Sequence, residues 1–275
     1  MERPSLHATL TPMSLRRFFI DPTDITEETA LLTGPEAHHL RTVLRLSPGD
    51  PITFFDGTGA RYQARIERIL KDRVTATVIG QTRDLPPKVR LHLGQALLKG
   101  QKMDLILQKA TELGVEAIYP FYSEHGIHKQ PRDTQMDRWQ RIVIEACKQC
   151  DRATPPEIHD PRDVTDLMTQ LPPYDARLIF WEHETRHTLK DVLASHNKEC
   201  RSVLFLVGPE GGFSETEVAC ARKEGFNPAS LGPRILRAET ATLAATAILQ
   251  FTLGNLDPAL PDDQEKSPCA PLSNG

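Results

Sequence analysis

Ser202-Val-Leu-Phe-Leu-Val-Gly-Pro-Glu-Gly-Gly-Phe-Ser214 decides how the chain folds. Its apolar run, Ser202 to Val207, has strand length and reads as a buried strand. Ser214 with Glu217 three residues on is a capping box, so a helix begins there. Between them lies Leu206-Val-Gly-Pro-Glu-Gly-Gly-Phe213, whose glycines let backbone N–H and C=O groups approach a ligand closely. A strand that turns through glycines into a helix marks the place where an open α/β sheet binds ligands. The loop matches neither the dinucleotide fingerprint nor the P-loop, and no Lys follows it to hold a phosphate, which argues against a nucleoside triphosphate. A plain tight turn is the alternative for the motif taken alone.

A second loop has the same character. Leu231-Gly-Pro-Arg-Ile-Leu-Arg-Ala-Glu-Thr240 again leads from a short strand, Ala229 to Leu231, into a helix, Glu239 to Leu253. It presents apolar atoms, backbone groups, Arg234, Arg237 and Glu239. Two such loops can close around one amphipathic small molecule.

Outward from these loops, strands and helices alternate. Strands are expected at Val89–Leu93, Ala117–Phe121 and Arg177–Trp181, and helices at Lys102–Leu113, Arg138–Cys150 and Leu189–His196. This pattern predicts an α/β domain with a mostly parallel sheet over residues 88–256. Before the stiff break Asp84-Leu-Pro-Pro87, short strand-like runs dominate residues 14–84, at Arg17–Ile20, Ile52–Phe55, Arg61–Ile66 and Arg73–Ile79, with a short helix over Glu36–Leu44. That portion reads as a small β-barrel. Residues 1–13 are expected to be a loose arm, and 257–275 a disordered Pro-, Asp- and Ser-rich tail.

The chain has 275 residues, 39% hydrophobic and 25% charged, which suits a soluble globular protein. Its longest apolar runs fall far short of the ~20 residues a membrane helix needs, and nothing near Met1 pairs a basic start with an apolar segment. No membrane association and a cytoplasmic location with reduced thiols are therefore expected. The net charge of −4 is concentrated in the tail, where four acidic residues face Lys266 alone. The rest is near neutral, with basic clusters at Arg16/Arg17, Arg41/Arg45, Lys99/Lys102, Arg138/Arg141 and Arg234/Arg237 that suit phosphates or solvated surface.

Two motifs carry less than their spacing suggests. Cys147-Lys-Gln-Cys150 has no second pair to complete a zinc ribbon, and both thiols fall on the apolar stripe Trp139, Ile142, Val143, Ala146, Cys147, Cys150 of a helix. Packing is the expectation there. His183-Glu184-Thr-Arg-His187 matches the zinc-protease pattern but follows a strand directly, and no third ligand stands at a recognisable spacing. No metal is expected, and zinc hydrolysis through His183 and His187 stays a remote alternative.

Together these residues resemble a known family. Val207 to Ser214 and Leu231 to Ala241 are similar to the cofactor loops of the RsmE-type 16S ribosomal RNA uracil-N3 methyltransferases of the SPOUT class. Arg16-Arg-Phe-Phe19, His38 to Leu46, Lys99-Gly-Gln-Lys-Met103, Gln108 to Val115, Arg138 to Arg152 and Pro156-Glu-Ile158 agree in the same order, so the resemblance spans about residues 15–254. It implies a SPOUT-type trefoil-knotted parallel-sheet domain preceded by a PUA-like RNA-binding barrel. It further implies S-adenosyl-L-methionine as cofactor and a homodimer through the knotted domain. The implied substrate is 16S rRNA in the small ribosomal subunit, methylated at N3 of uridine 1498 near its 3′ end. Leu206, Gly208, Glu210, Gly211, Leu231, Gly232 and Leu236 are then the expected cofactor contacts. Uracil N3 carries a proton, so a base or a charge-stabilising cation is required. Arg237 is the expected stabiliser and Glu239 the orienter or base, with bracing of the knot as the alternative for both. Arg16, Arg17, Arg41, Arg45 and Arg152 are expected phosphate contacts, and His38 and His39 structural. The chain departs from the family at His125, where Arg is common, at Ala238 and Thr242, and in its tail. Action on another RNA site and non-catalytic RNA binding remain the alternatives.

Overall fold

The computed structural model describes residues 16–127, 131–185, 188–190 and 200–257. The expected arm and most of the tail lie outside the described residues, as do His187 and nearly all of the helix expected at Leu189–His196.

The N-terminal portion is a curled five-stranded sheet. Its strands are β1 (Arg17–Phe19), β2 (Thr29–Thr33), β3 (Pro51–Phe55), β4 (Ala60–Ile69) and β5 (Arg73–Arg83), in the order β1-β3-β4-β5-β2. Alternate residues point inward: Ala30 and Leu32, Ile52 and Phe54, Ala64 and Ile66, Val74 and Ala76 form one core with Phe18 and Leu40. Two register shifts between β4 and β5 bend the sheet into a half-barrel. The helix expected over Glu36–Leu44 is instead α1 (Gly34–His38) followed by a wider turn, His39–Val43, in which Leu44 N–H donates to His39 O. That turn buries Leu40, and the His39 ring meets Phe18 edge-on. β2 was not expected from sequence, because only Ala30 and Leu32 of its five residues are buried.

After β5 the chain enters an all-parallel seven-stranded sheet. Its strands are β6 (Arg90–Ala96), β7 (Ala117–Tyr122), β8 (Glu157–Ile158), β9 (Arg162–Asp163), β10 (Ala176–Phe180), β11 (Ser202–Val207) and β12 (Asn227–Ala229). The order is β12-β10-β11-β6-β7-β8, with β9 also on β7. Helices α2 (Lys102–Glu112), α3 (Asp133–Cys150), α4 (Val164–Gln170), α5 (Glu215–Lys223) and α6 (Ala238–Thr252) cover it. Every residue of β11 is buried, because both faces are covered. Val203, Phe205 and Val207 enter the core shared with α2, α3 and α6, whereas Leu204 and Leu206 enter the core shared with α4 and α5.

Helix α3 starts five residues before the expected Arg138 and buries Trp139, Val143, Ala146 and Cys147 as its stripe requires. Burial pushes the Cys147 thiol up to about 12, so it packs as a small hydrophobe. The end of α3 also joins the two sheets. Phe55, Cys147 and Ala153 form a small shared cluster. Asp151, at φ 60 beyond the helix, pairs with both Arg17 and Arg61, and Arg61 also pairs with Asp84.

Candidate active site

In a parallel sheet the carboxyl ends of all strands lie on one side, so loops far apart in sequence meet there. Three do so at neighbouring strands: Phe180–Glu182 after β10, Val207–Gly212 after β11, and Ala229–Ala238 after β12. They enclose a cavity of about 380 Å³. Its walls mix apolar side chains with backbone groups, and Glu182, Glu210, Lys102, Arg234 and Arg237 are its charged groups.

The capping box fixes one wall. Ser214 Oγ accepts from Glu217 N–H at 3.2 Å, and Glu217 Oε2 accepts from Ser214 N–H at 2.8 Å. The buried Glu217 carboxylate also accepts from Ser123 Oγ at 3.2 Å and from Glu124 N–H at 2.9 Å, tying the β7 loop to the glycine loop. Gly212 has φ 72, and a Cβ there would stand 1.8 Å from Glu182 Oε1, so this position brings the β10 loop against the β11 loop.

Of the expected cofactor contacts, Gly208, Glu210, Leu231, Gly232 and Leu236 line the cavity. Two do not. Leu206 is fully buried in the opposite core, and the wall residue is its neighbour Val207, because side chains alternate along a strand. At Gly211 the missing Cβ makes room for His125, whose Cβ would lie 2.8 Å away. Arg237 lines the cavity and is exposed. Glu239 stands behind it, one ammonium away: Lys102 Nζ is 3.6 Å from Glu239 Oε2 and 2.8 Å from Glu210 Oε1. Burial is the largest influence on Glu210 and opposes its ionisation, but the hydrogen bond from Lys102, a backbone hydrogen bond and the charges of Lys102 and Lys99 together hold this carboxyl below its ordinary range. The bond between Lys102 and Glu210 holds the Lys102 ammonium above its own.

Residues 85–250 match the family model described as an RNA methyltransferase domain, and residues 32–79 match an RNA methyltransferase PUA domain. The ribosomal RNA small subunit methyltransferase E of Bacillus subtilis is 31% identical over 249 residues, covering 86% of this chain and 96% of that protein. The chain belongs to the ribosomal RNA small subunit methyltransferase E family. The Synechocystis member is 34% identical over 238 residues, covering 86% of this chain and 78% of its own. The structure of the Neisseria gonorrhoeae member bound to S-adenosyl methionine is 35% identical, with a TM-score of 0.78 over 86% of this chain and 98% of that one.

In this methyltransferase the sequence reading missed Trp181, Glu182 and Lys102 as cavity residues. Trp181 and Glu182 directly follow β10, a strand that periodicity had located, so parallel strand order was the available signal. Lys102 stood in a quoted basic cluster, but nothing local joined it to residue 210.

The expected phosphate contacts divide. Arg16 faces Asp50 at 3.6 Å, Arg41 donates to the Lys71 carbonyl, and Arg45 is exposed at φ 51. Arg17 and Arg152 are engaged within the protein. Arg17 is held by Asp151 at 3.0 Å and by the Lys148 carbonyl at 3.1 Å, across the contact between the sheets. Arg152 donates to the carbonyls of Thr111, in the last turn of α2, and Val115, just beyond it, at 3.2 and 2.6 Å, and burial lowers its pKa.

The zinc-protease pattern places His183 edge-on to Trp181 at 5.5 Å, while the buried Glu184 pairs with Arg222 at 3.4 Å. Among the described residues no group of three or more His, Cys, Asp or Glu is placed to hold a metal ion. No described helix is long and apolar enough to cross a membrane.

Proposed function

We propose that the chain transfers a methyl group from S-adenosylmethionine to N3 of one uridine near the 3′ end of 16S rRNA in the small ribosomal subunit. The observation that carries this is the single cavity built by the ends of β10, β11 and β12 within a chain of this family.

The residues present suit the cofactor. The cavity is of a size for a small amphipathic molecule. Backbone groups at Gly208 and around Leu231–Leu236 suit an adenosine, and the carboxylates of Glu182 and Glu210 complement a sulfonium. When bound, S-adenosylmethionine supplies the electrophilic methyl carbon and a neutral thioether leaving group.

The protein's part is positioning and charge. Uracil N3 lies on the pairing edge, so the uridine must be unpaired or extruded to reach the cavity. Arg237 at the cavity wall is the proposed stabiliser of the pyrimidine as its N3 proton leaves, with Glu239 as orienter or base. Arg16, Arg41 and Arg45 on the half-barrel are proposed to contact phosphates. Also proposed are a trefoil knot in the second domain, domain limits at 14–84 and 88–256, a cytoplasmic location and a homodimer packed through α6, where Ile248 and Phe251 are exposed.

Nucleoside mass mapping of 16S rRNA from a strain lacking this gene tests the reading. Loss of 3-methyluridine and its return with the plasmid-borne gene are expected. Persistence of 3-methyluridine in the deletion strain rejects the assignment.

A further inference from the structure

Lys102 is the first residue of α2. An ammonium at a helix N-terminus opposes the macrodipole, so this placement costs energy that its surroundings must offset. Two carboxylates from other elements do so: Glu210 Oε1 from the β11 loop at 2.8 Å and Glu239 Oε2 from the start of α6 at 3.6 Å. Glu239 is mostly buried, and its Oε2 has no hydrogen-bond partner among the described residues, which leaves Lys102 as its counter-charge. The Lys102 side chain is 34% exposed and lines the cavity, whereas Glu239 does not. Arg234 and Arg237 line the same cavity from an exposed loop. Lys102 is thus a cavity cation braced from two sides, and a preorganised charge stabilises a transition state better than one that must be ordered during reaction.

We propose that Lys102 is a catalytic residue of the transfer: its ammonium donates a hydrogen bond to a uracil carbonyl oxygen beside N3 and stabilises the negative charge placed there when N3 loses its proton. Glu239 and Glu210 are positioning residues that aim it. The inference rests on the uracil reading above. In the step, the N3–H bond breaks, the proton leaves to water, and the electron pair stays on the ring, shared between N3 and its flanking oxygens. That pair then bonds the methyl carbon, while the carbon–sulfur pair returns to sulfur. Lys102 keeps its protons throughout. The hydrogen bond from Lys102 to Glu210, which raises the ammonium's pKa, ensures this over the working range. The other charged groups near it are Glu182 and Arg237 on the cavity wall and Lys99, whose field reaches Glu210.

The test compares wild type, Lys102→Met and Lys102→Arg on small subunits from the deletion strain, with and without 5-fluorouridine in the rRNA. The fluorine acidifies N3 and so replaces the function assigned to the ammonium. At neutral pH the Met variant should lose about 100-fold in rate, the scale for removing one preorganised donor. Its rate should go on rising by about tenfold per pH unit where the wild-type profile has levelled. 5-Fluorouridine should restore the Met variant far more than it accelerates wild type, and the Arg variant should fall between them. Calorimetric affinity for S-adenosylmethionine should stay within about threefold in all three proteins. If the Met variant loses that affinity, Lys102 holds the methyl donor and the proposal fails. An unshifted pH profile with no rescue by fluorine rejects it equally. A wild-type protein that forms no 3-methyluridine overturns the uracil reading itself, and this inference with it, at the first control.

Discussion

Thr242→Val removes one donor from a fully buried site. Thr242 Oγ1 lies 2.6 Å from Gln95 Oε1 and 2.9 Å from the Ala238 carbonyl, and both side chains are fully buried. A hydroxyl has one proton. If it pointed at Ala238, two lone-pair oxygens would face each other at 2.6 Å, so it belongs to the Gln95 contact. Valine fills the same volume and opens no cavity, so the cost is that of an unsatisfied Gln95 oxygen, about 1–3 kcal/mol. At about 2–4 °C per kcal/mol for a domain of this size, the midpoint of thermal unfolding should fall by several degrees. Gln95→Met alone should cost less, because the Thr242 hydroxyl can turn to Ala238. The double variant should then recover about 1–2 kcal/mol relative to additivity. Urea titration followed by tryptophan fluorescence measures this, since both tryptophans, Trp139 and Trp181, belong to the second domain. A Thr242→Val variant as stable as wild type, or a double variant that is merely additive, would refute the reasoning.

Gly94→Ala places a Cβ 2.2 Å from Leu206 Cδ2, inside a fully packed core, and should destabilise by about 1–3 kcal/mol; a thermal melt within a degree of wild type would contradict that. Burial lowers the His92 imidazole, which shares a 2.8 Å hydrogen bond with Tyr174, from 6.5 to about 4. Between these values the unfolded chain binds the extra proton, so stability is complete above pH 6.5 and falls toward pH 4. After allowance for partial exposure the loss is about 2 kcal/mol, and His92→Gln should flatten that part of a pH series of urea midpoints. Cys147, buried and shifted to about 12, should stay unlabelled by a thiol reagent at pH 8 in the native protein and react fully in urea, and native labelling of Cys147 in a peptide map would contradict its burial.

Short-range periodicity determined much of this protein. The 3.6-residue stripes placed α2 and the buried face of α3, the apolar run placed β11, and the Ser214–Glu217 spacing placed the start of α5, because each depends on residues within a few turns of one another. The two loops at 206–213 and 231–240 were legible for the same reason, since a glycine turn after a strand is a local signal. Tertiary structure alone decided that Trp181 and Glu182 form a third wall, that Leu206 faces away while Val207 faces in, and that Arg17 and Arg152 are occupied inside the protein. It also brought Lys102 to Glu210, 108 positions away, and to Glu239. These outcomes depend on strand order and on which face of the sheet each helix covers, and such long-range choices leave no periodic trace in the chain.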